Sequence, residues 1–249
     1  MSLEPIYSVG QYPPEKDRGG APIAFLFNAA GPLGRLQGEL HWRLSDFCRI
    51  HQIVYKNIEQ VERGLDELEY DFNNFTKNTG EIIDDEEAKE MERYCQARFF
   101  NHIHQTDQEN KRVQAFVDHI TVVGLWAIAE QFLVKIYRDV VSAQNGTSSD
   151  SITAPYKWHE IIREFEAIGI TLTNRENYNN ANECRVLNNA IKHSPKVEAR
   201  LAQFEAFRSF IGHDLENVPL DMQRYLNGVS DLLGSTIERG NKVLGHENV

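Results

Sequence analysis

Between residues 40 and 75, apolar side chains recur at alternating intervals of four and three positions. This spacing is typical of a helix that packs along a coiled-coil-like seam, and a β-strand cannot use that period. We therefore predict one long helix that ends near Asn78, with His51 as a polar seam residue that fixes the packing register. The seam positions are Leu40, Leu44, Phe47, His51, Val54, Ile58, Val61, Leu65, Leu68, Phe72 and Phe75.

A second helical region is predicted from about residue 84 to residue 143, because it contains no proline and opens on an acidic run that suits a helix amino terminus. A break near Asp107 is expected to divide it into two helices. Residues 120–136 are apolar nearly all round, which predicts a central, buried helix. Glu130 and two further polar residues interrupt this run, so it falls short of the ~18 uninterrupted apolar residues of a membrane span. We predict no membrane partner.

The carboxy-terminal half reads as shorter helices, and no convincing alternating strand pattern is present. The predicted helices cover residues 156–168, 176–193, 197–211 and 221–240. The fold class is therefore predicted to be all-α. The expected organisation is an irregular segment at residues 1–38, a long helical hairpin at residues 39–109 and a helical bundle at residues 110–249.

The charge and the cysteine content of the chain argue against several classes of function. The 249-residue chain has 26 Lys and Arg against 37 Asp and Glu, a formal charge of −11, which disfavours non-specific nucleic-acid binding. Its three cysteines form no CxxC pair, which argues against a disulfide framework or a zinc knuckle and favours a reducing cytoplasm. We predict no metal and no cofactor. The acidic stretches at residues 59–71 and 81–92 are solvated helix faces or a docking surface for a basic protein partner.

One predicted helix carries a candidate site. Arg185, Asn189 and Lys192 are spaced to share one face, and His193 lies about 40° from Asn189. Residues 174–200 contain five basic and three acidic residues, a locally basic patch that could bind RNA. Histidine can act as a general base near neutral pH, whereas arginine and lysine can hold phosphate oxygens. This set of residues suits metal-independent cleavage of an RNA backbone.

The segment Glu183-x-Arg185-x-x-x-Asn189-x-x-Lys192-His193-Ser194 resembles the signature helix of HEPN-type domains, and residues 110–240 carry the resemblance. Trp158, Phe165 and the Gly169-Ile170 break fit the upstream context of that helix. The resemblance implies an all-α bundle and a metal-independent endoribonuclease of a toxin–antitoxin or phage-defence system. It also implies a homodimer in which two signature helices face each other.

The resemblance also implies roles for individual residues. His193 would activate the 2′-hydroxyl, and Asn189 would orient a neighbouring group. Arg185, Lys192 and Lys196 would bind phosphate or substrate. Glu130 resembles the acidic residue often found on another bundle helix, and it would support the site together with Glu183.

The sequence departs from the family pattern at the arginine. In the family pattern, four to six residues separate an arginine from the histidine, and asparagine often follows the arginine directly. Here Asn188 precedes Asn189, and seven residues separate Arg185 from His193. On a straight helix, Arg185 and His193 are about 80° and ~12 Å apart. A dimer could bring them together between chains. The alternative is a non-catalytic dimerisation or partner-binding module that kept the fold without the chemistry.

Each of these residues also has an alternative interpretation in which its role is purely structural. Arg185 and Lys192 are candidates for salt bridges with Glu183 or Glu176 on a solvated helix face. His193 is a candidate carboxy-terminal cap that the helix dipole favours. Glu130 is expected to be a buried carboxylate paired with a lysine or an arginine, because an unpaired buried charge is costly.

Overall fold

The computed structural model describes residues 31–79, 86–173 and 177–246. Within these ranges the protein contains six α-helices and no β-strand, which confirms the all-α fold class. The helices are α1 (Gly34–Thr79), α2 (Glu86–Asn145), α3 (Trp158–Ala167), α4 (Tyr178–His193), α5 (Glu205–Arg208) and α6 (Met222–Val243).

Two compact units divide the chain. The bundle unit takes the described residues of Met1–Gln52 and Asp118–Val249, and the hairpin unit is Ile53–Val117. Both long helices therefore contribute residues to both units, whereas the sequence reading placed the hairpin at residues 39–109.

Helix α1 begins earlier than predicted. Its first residue is Gly34, so residues 34–38 are helical although the segment 1–38 was expected to be irregular. The reason is the burial of two leucines, because Leu33 and Leu36 are each only 1% exposed and anchor this end of the helix in the bundle core. Residues 1–30 lie outside the described part of the chain.

Helix α2 runs for 60 residues without the predicted break near Asp107. No proline interrupts it, and Lys111 Nζ lies 2.7 Å from Asp107 Oδ2 one turn further along, which supports the helix at that point. The region around residues 120–136 is a core element, as predicted. Its buried residues include Val122, Leu125, Ala129, Phe132, Leu133 and Ile136.

Two glycines allow close packing in the bundle unit. A Cβ atom at Gly124 of α2 would lie 2.0 Å from the Phe47 ring of α1, and one at Gly228 of α6 would lie 2.6 Å from the Ala181 backbone nitrogen of α4. Helices α4 and α6 pack against each other. At Gly228 only glycine permits the present approach, because backbone atoms of α4 obstruct a Cβ atom, whereas a larger residue at Gly124 would require the Phe47 ring to move.

The predicted helix at residues 197–211 is wrong for most of its length. Val197 N donates to His213 O at 2.9 Å, and Gly212 N donates to Val197 O at 2.8 Å, so the segment closes a loop instead of an α-helical ladder. The only α-helix in this segment is α5, of four residues. Leu201 and Phe207 are each 1% exposed and give the loop its own apolar contacts.

The hairpin unit buries only part of the predicted seam. Of the predicted positions, Ile58 is buried, whereas Leu65 and Phe72 are half-buried. Val61, Leu68 and Phe75 are instead 37%, 51% and 65% exposed. The face with the least exposure contains Tyr55, Ile58, Glu62, Leu65, Glu69 and Phe72.

Among the described residues, one helix is apolar and long enough to cross a membrane by length and composition alone. This helix is α2, and half of its most apolar 18-residue window is buried inside the protein. A central core helix has the same properties, so the observation is weak support for a membrane span.

Candidate functional site

The predicted signature helix is present as α4, two residues shorter at its amino terminus than the sequence indicated. Asn177 precedes it, and Ser194 and Pro195 follow it, so the helix ends where a proline prevents its continuation. Its middle is buried in the bundle unit, and its last two residues, Lys192 and His193, are exposed. The candidate residues therefore lie in two different environments.

Glu183 joins α4 to α6. Its side chain is buried, forms an ion pair with the Arg224 guanidinium and accepts a hydrogen bond of 2.8 Å from the Tyr225 hydroxyl. Burial raises the pKa of Glu183, although the bonds from Tyr225 and Arg224 act in the opposite direction. The proposed salt bridge of Arg185 with Glu183 is therefore wrong, and Glu176 lies outside the described residues.

Arg185 is held by neutral partners. The residue is 9% exposed, its Nε and Nη2 donate to Asn182 Oδ1 at 3.1 and 2.8 Å, and its guanidinium lies 5.2 Å from the centre of the Trp158 ring. No carboxylate of the described residues lies within ion-pair distance of it. Burial lowers the pKa of Arg185, and the charge of Arg200 lowers it further. The predicted solvated face is therefore wrong for this residue.

An aromatic chain connects Arg185 to Glu130. The Trp158 and Trp126 rings meet edge to face with centroids 5.4 Å apart, and Trp126 Nε1 donates to Glu130 Oε1 at 2.9 Å. Glu130 is exposed, so its expected burial with a lysine or an arginine is wrong. The connection between Arg185 and Glu130 therefore passes through two indole rings on α3 and α2.

The two neighbouring asparagines, Asn188 and Asn189, also lie in different environments. Asn188 is 1% exposed, its Nδ2 lies 3.4 Å from Asn189 Oδ1, and its own Oδ1 has no hydrogen-bond partner among the described residues. Asn189 is half-buried. The residue that directly precedes Asn189 is thus an interior asparagine in this chain.

Three basic candidates lie at the exposed end of α4. Lys192 and His193 form its last turn, and Lys196 follows Pro195, with Nζ 3.8 Å from Asp214 Oδ1. All three are exposed. Within one chain the guanidinium of Arg185 is directed at Trp158 in the interior, so the structure does not bring Arg185 and His193 to one surface.

Sequence reasoning missed several residues that determine this arrangement. Arg224 and Tyr225 lie on α6, 41 and 42 positions after Glu183, and no sequence period connects them. Asn182 is three residues before Arg185, a spacing that places the two side chains together on a helix and could have suggested the contact.

Within the described residues, no group of three or more His, Cys, Asp and Glu side chains is placed to hold a metal ion. No known protein family, curated protein or solved structure matches this chain. What the described residues define is a class: an all-α protein with a helical bundle and a helical hairpin.

Proposed function

We propose that this protein is a non-catalytic helical partner-binding module with a HEPN-like bundle, and that its hairpin unit is the binding element. The observation that carries this proposal is the environment of Arg185, which stacks on Trp158 and donates two hydrogen bonds to Asn182 while 9% exposed. An arginine that recognises RNA presents its planar set of N–H donors to phosphate oxygens. Here that side chain is part of the interior packing.

Asn188 and Glu183 support the same conclusion. The family arginine position is occupied by a neutral side chain that is 1% exposed, and the Glu183 carboxylate is used in the connection to Arg224 and Tyr225. Asn188 brings no charge to this position, and Glu183 connects α4 to α6, so both residues leave few groups for chemistry. The residues 183–189 thus resemble the signature of an enzyme while acting as a packing segment.

A second candidate function is metal-independent RNA cleavage in a dimer. The exposed group of Lys192, His193 and Lys196 favours it, because these side chains could bind phosphate and activate a 2′-hydroxyl. Such a site would need its remaining groups from a second copy. Glu130 is exposed but connects to Trp126, so its support of this site would be indirect.

RNA cleavage separates the two candidates. Purified protein is incubated with a mixed RNA pool in EDTA, and His193→Ala is compared with His159→Ala, which removes an exposed histidine from α3. The non-catalytic proposal expects no cleavage by any of the three proteins. Cleavage that produces 2′,3′-cyclic phosphate ends and that is lost only in His193→Ala would overturn it.

We also propose that the protein is located in the cytoplasm. All three cysteines are free thiols, with Cys48 and Cys184 buried and Cys95 exposed. Free thiols are maintained in a reducing compartment. Detection of the protein outside that compartment by cell fractionation would contradict this placement.

A further inference from the structure

An apolar stripe lies exposed along α1 in the hairpin unit. Val61, Leu68 and Phe75 are spaced by seven residues, so they follow one line on the helix, and their exposed fractions are 37%, 51% and 65%. The facing residues Ile58, Leu65 and Phe72 are better covered. The sequence thus supplies two adjacent apolar rows, and one of them is less exposed than the other.

Two contacts define how α2 lies against α1. The Phe72 and Phe99 rings stack with centroids 4.1 Å apart, and Gln114 Nε2 lies 3.5 Å from Glu62 Oε1, so the two helices are antiparallel. At ~100° per residue, this register places the exposed side chains of Val113 and Phe116 on the flank of α2 next to the stripe.

The exposed face therefore has contributions from both helices. On α2, Val113 and Phe116 are 44% and 63% exposed. We define the hairpin face as these two residues together with Val61 and Leu68. Contiguous exposed apolar side chains of this kind mark interaction surfaces.

The two sides of the hairpin carry different charge. Residues 53–75 of α1 contain six acidic and two basic side chains, whereas residues 91–117 of α2 contain three acidic and four basic ones. At ~100° per residue, Asp71 borders the hairpin face on α1, and Arg98 borders it on α2. Glu109 lies between Val113 and Phe116 on α2, with Oε1 4.0 Å from the Arg112 guanidinium. The side chains of Asp71, Arg98, Glu109 and Arg112 are exposed.

This distribution of charge favours a second copy of the chain as the partner that covers the hairpin face. If a second copy lies with its α1 over the α2 of the first, Asp71 of each copy lies over the part of α2 that carries Arg98 of the other, and the apolar rows meet between them. A uniformly basic helix would match α1 but would meet Arg98 on α2. Charges that flank an apolar helical seam set partner choice in this way.

We propose that two copies of this chain pair through the hairpin face to form a four-helix assembly, with α1 of each hairpin against α2 of the other. The inference rests on the proposed partner-binding function and names the partner as a second copy. It differs from the dimer that the HEPN resemblance implies, in which the signature helices would face each other.

The oligomeric state of the full-length protein tests the proposal by sedimentation velocity across a dilution series. Leu68→Glu places a carboxylate in the hairpin face, and Tyr70→Glu places one at a 69% exposed aromatic residue two positions away on another side of α1. Wild type and Tyr70→Glu should be dimers, and Leu68→Glu should dissociate at least ~10-fold more readily. A monomeric wild type, or a Leu68→Glu protein that dimerises like wild type, would overturn the proposal.

Charge reversal tests the pairing of α1 with α2. Asp71→Arg and Arg98→Glu should each weaken the dimer, and the protein with both substitutions should regain part of the lost affinity. If the double variant is weaker than either single variant, the arrangement of helices is wrong. These results are independent of the RNA assay, since cleavage lost in His193→Ala would overturn the non-catalytic function whether or not the hairpins pair.

Discussion

His51 Nε2 lies 2.8 Å from Asp118 Oδ1, and the two side chains are only 0% and 3% exposed. The contact joins α1 to α2 inside the bundle unit. A buried carboxylate is tolerated because it has a hydrogen-bonding partner, and the loss of that partner would leave a polar group desolvated. The seam histidine of the sequence thus has a partner on the neighbouring long helix.

Asp118→Ala should therefore reduce the free energy of unfolding by about 1–3 kcal/mol, measured by urea denaturation followed by circular dichroism. The exposed pair of Asp107 and Lys111 provides the control, because Asp107→Ala should cost less than about 1 kcal/mol. In a double-mutant cycle, His51→Ala combined with Asp118→Ala should cost less than the sum of the single changes. An additive result would show that the two side chains are not coupled.

Arg185→Ala should destabilise the bundle, because it removes the contact with Trp158 and the two hydrogen bonds to Asn182. We expect a loss of about 1–2 kcal/mol in urea denaturation and a change in tryptophan fluorescence. Arg163→Ala is the matched control, since its side chain is 71% exposed and pairs with the adjacent Glu164. Equal stability of the Arg185→Ala and Arg163→Ala proteins would contradict the interior role of Arg185.

Glu183 should contribute a measurable pH dependence to stability. Burial, the largest influence, raises its pKa above the ordinary 4.5, so above that pH the folded state retains a proton that the unfolded chain has lost. Its contribution to the free energy of unfolding should fall as pH increases from 4.5 through the folded-state pKa, and then level off.

The comparison with Glu183→Gln isolates this contribution, because glutamine does not titrate. The difference in unfolding free energy, wild type minus Glu183→Gln, should decrease between about pH 4 and pH 8. If the difference increases with pH, attraction to Arg224 outweighs burial, and the pKa of Glu183 lies below its ordinary value.

Thiol reactivity should divide the three cysteines. Cys95 is exposed, whereas burial raises the pKa of Cys48 to about 12 and also raises that of Cys184. Because the thiolate is the reactive form, a maleimide should modify one thiol per folded chain and all three after denaturation. In Cys95→Ser the fast reaction should be absent; a fast reaction that persists would place Cys48 or Cys184 in contact with solvent.

The helical content could be predicted from the sequence, but the covered row of the hairpin could not. Ile58, Leu65 and Phe72 belong both to the predicted seam and to the less exposed face of α1. A second apolar row, at Val61 and Leu68, lies beside them. A helix with two such rows can pack against a single neighbouring helix through either row. Only the position of α2 decides which row is covered.

The candidate site shows a second limit of what can be predicted from the sequence. The bounds of α4 follow from local signals, above all the Ser194-Pro195 stop, so they were predicted to within two residues. The partners of its side chains are distant in sequence. Arg185 meets Trp158 on α3, and Glu183 meets Arg224 on α6. A helical period shows which residues share a face, but it does not show which neighbour that face meets.

Gly228 has a consequence for the ancestry of this fold. Because a Cβ atom there would lie 2.6 Å from the Ala181 nitrogen and 2.8 Å from Asn180 Cβ, every larger residue would force α4 and α6 apart. This constraint does not apply to the charged residues of α4, but a protein that keeps this helix packing must keep a glycine at position 228. We therefore expect a glycine at this position of α6 to identify distant relatives of this protein more reliably than any of the polar residues of α4.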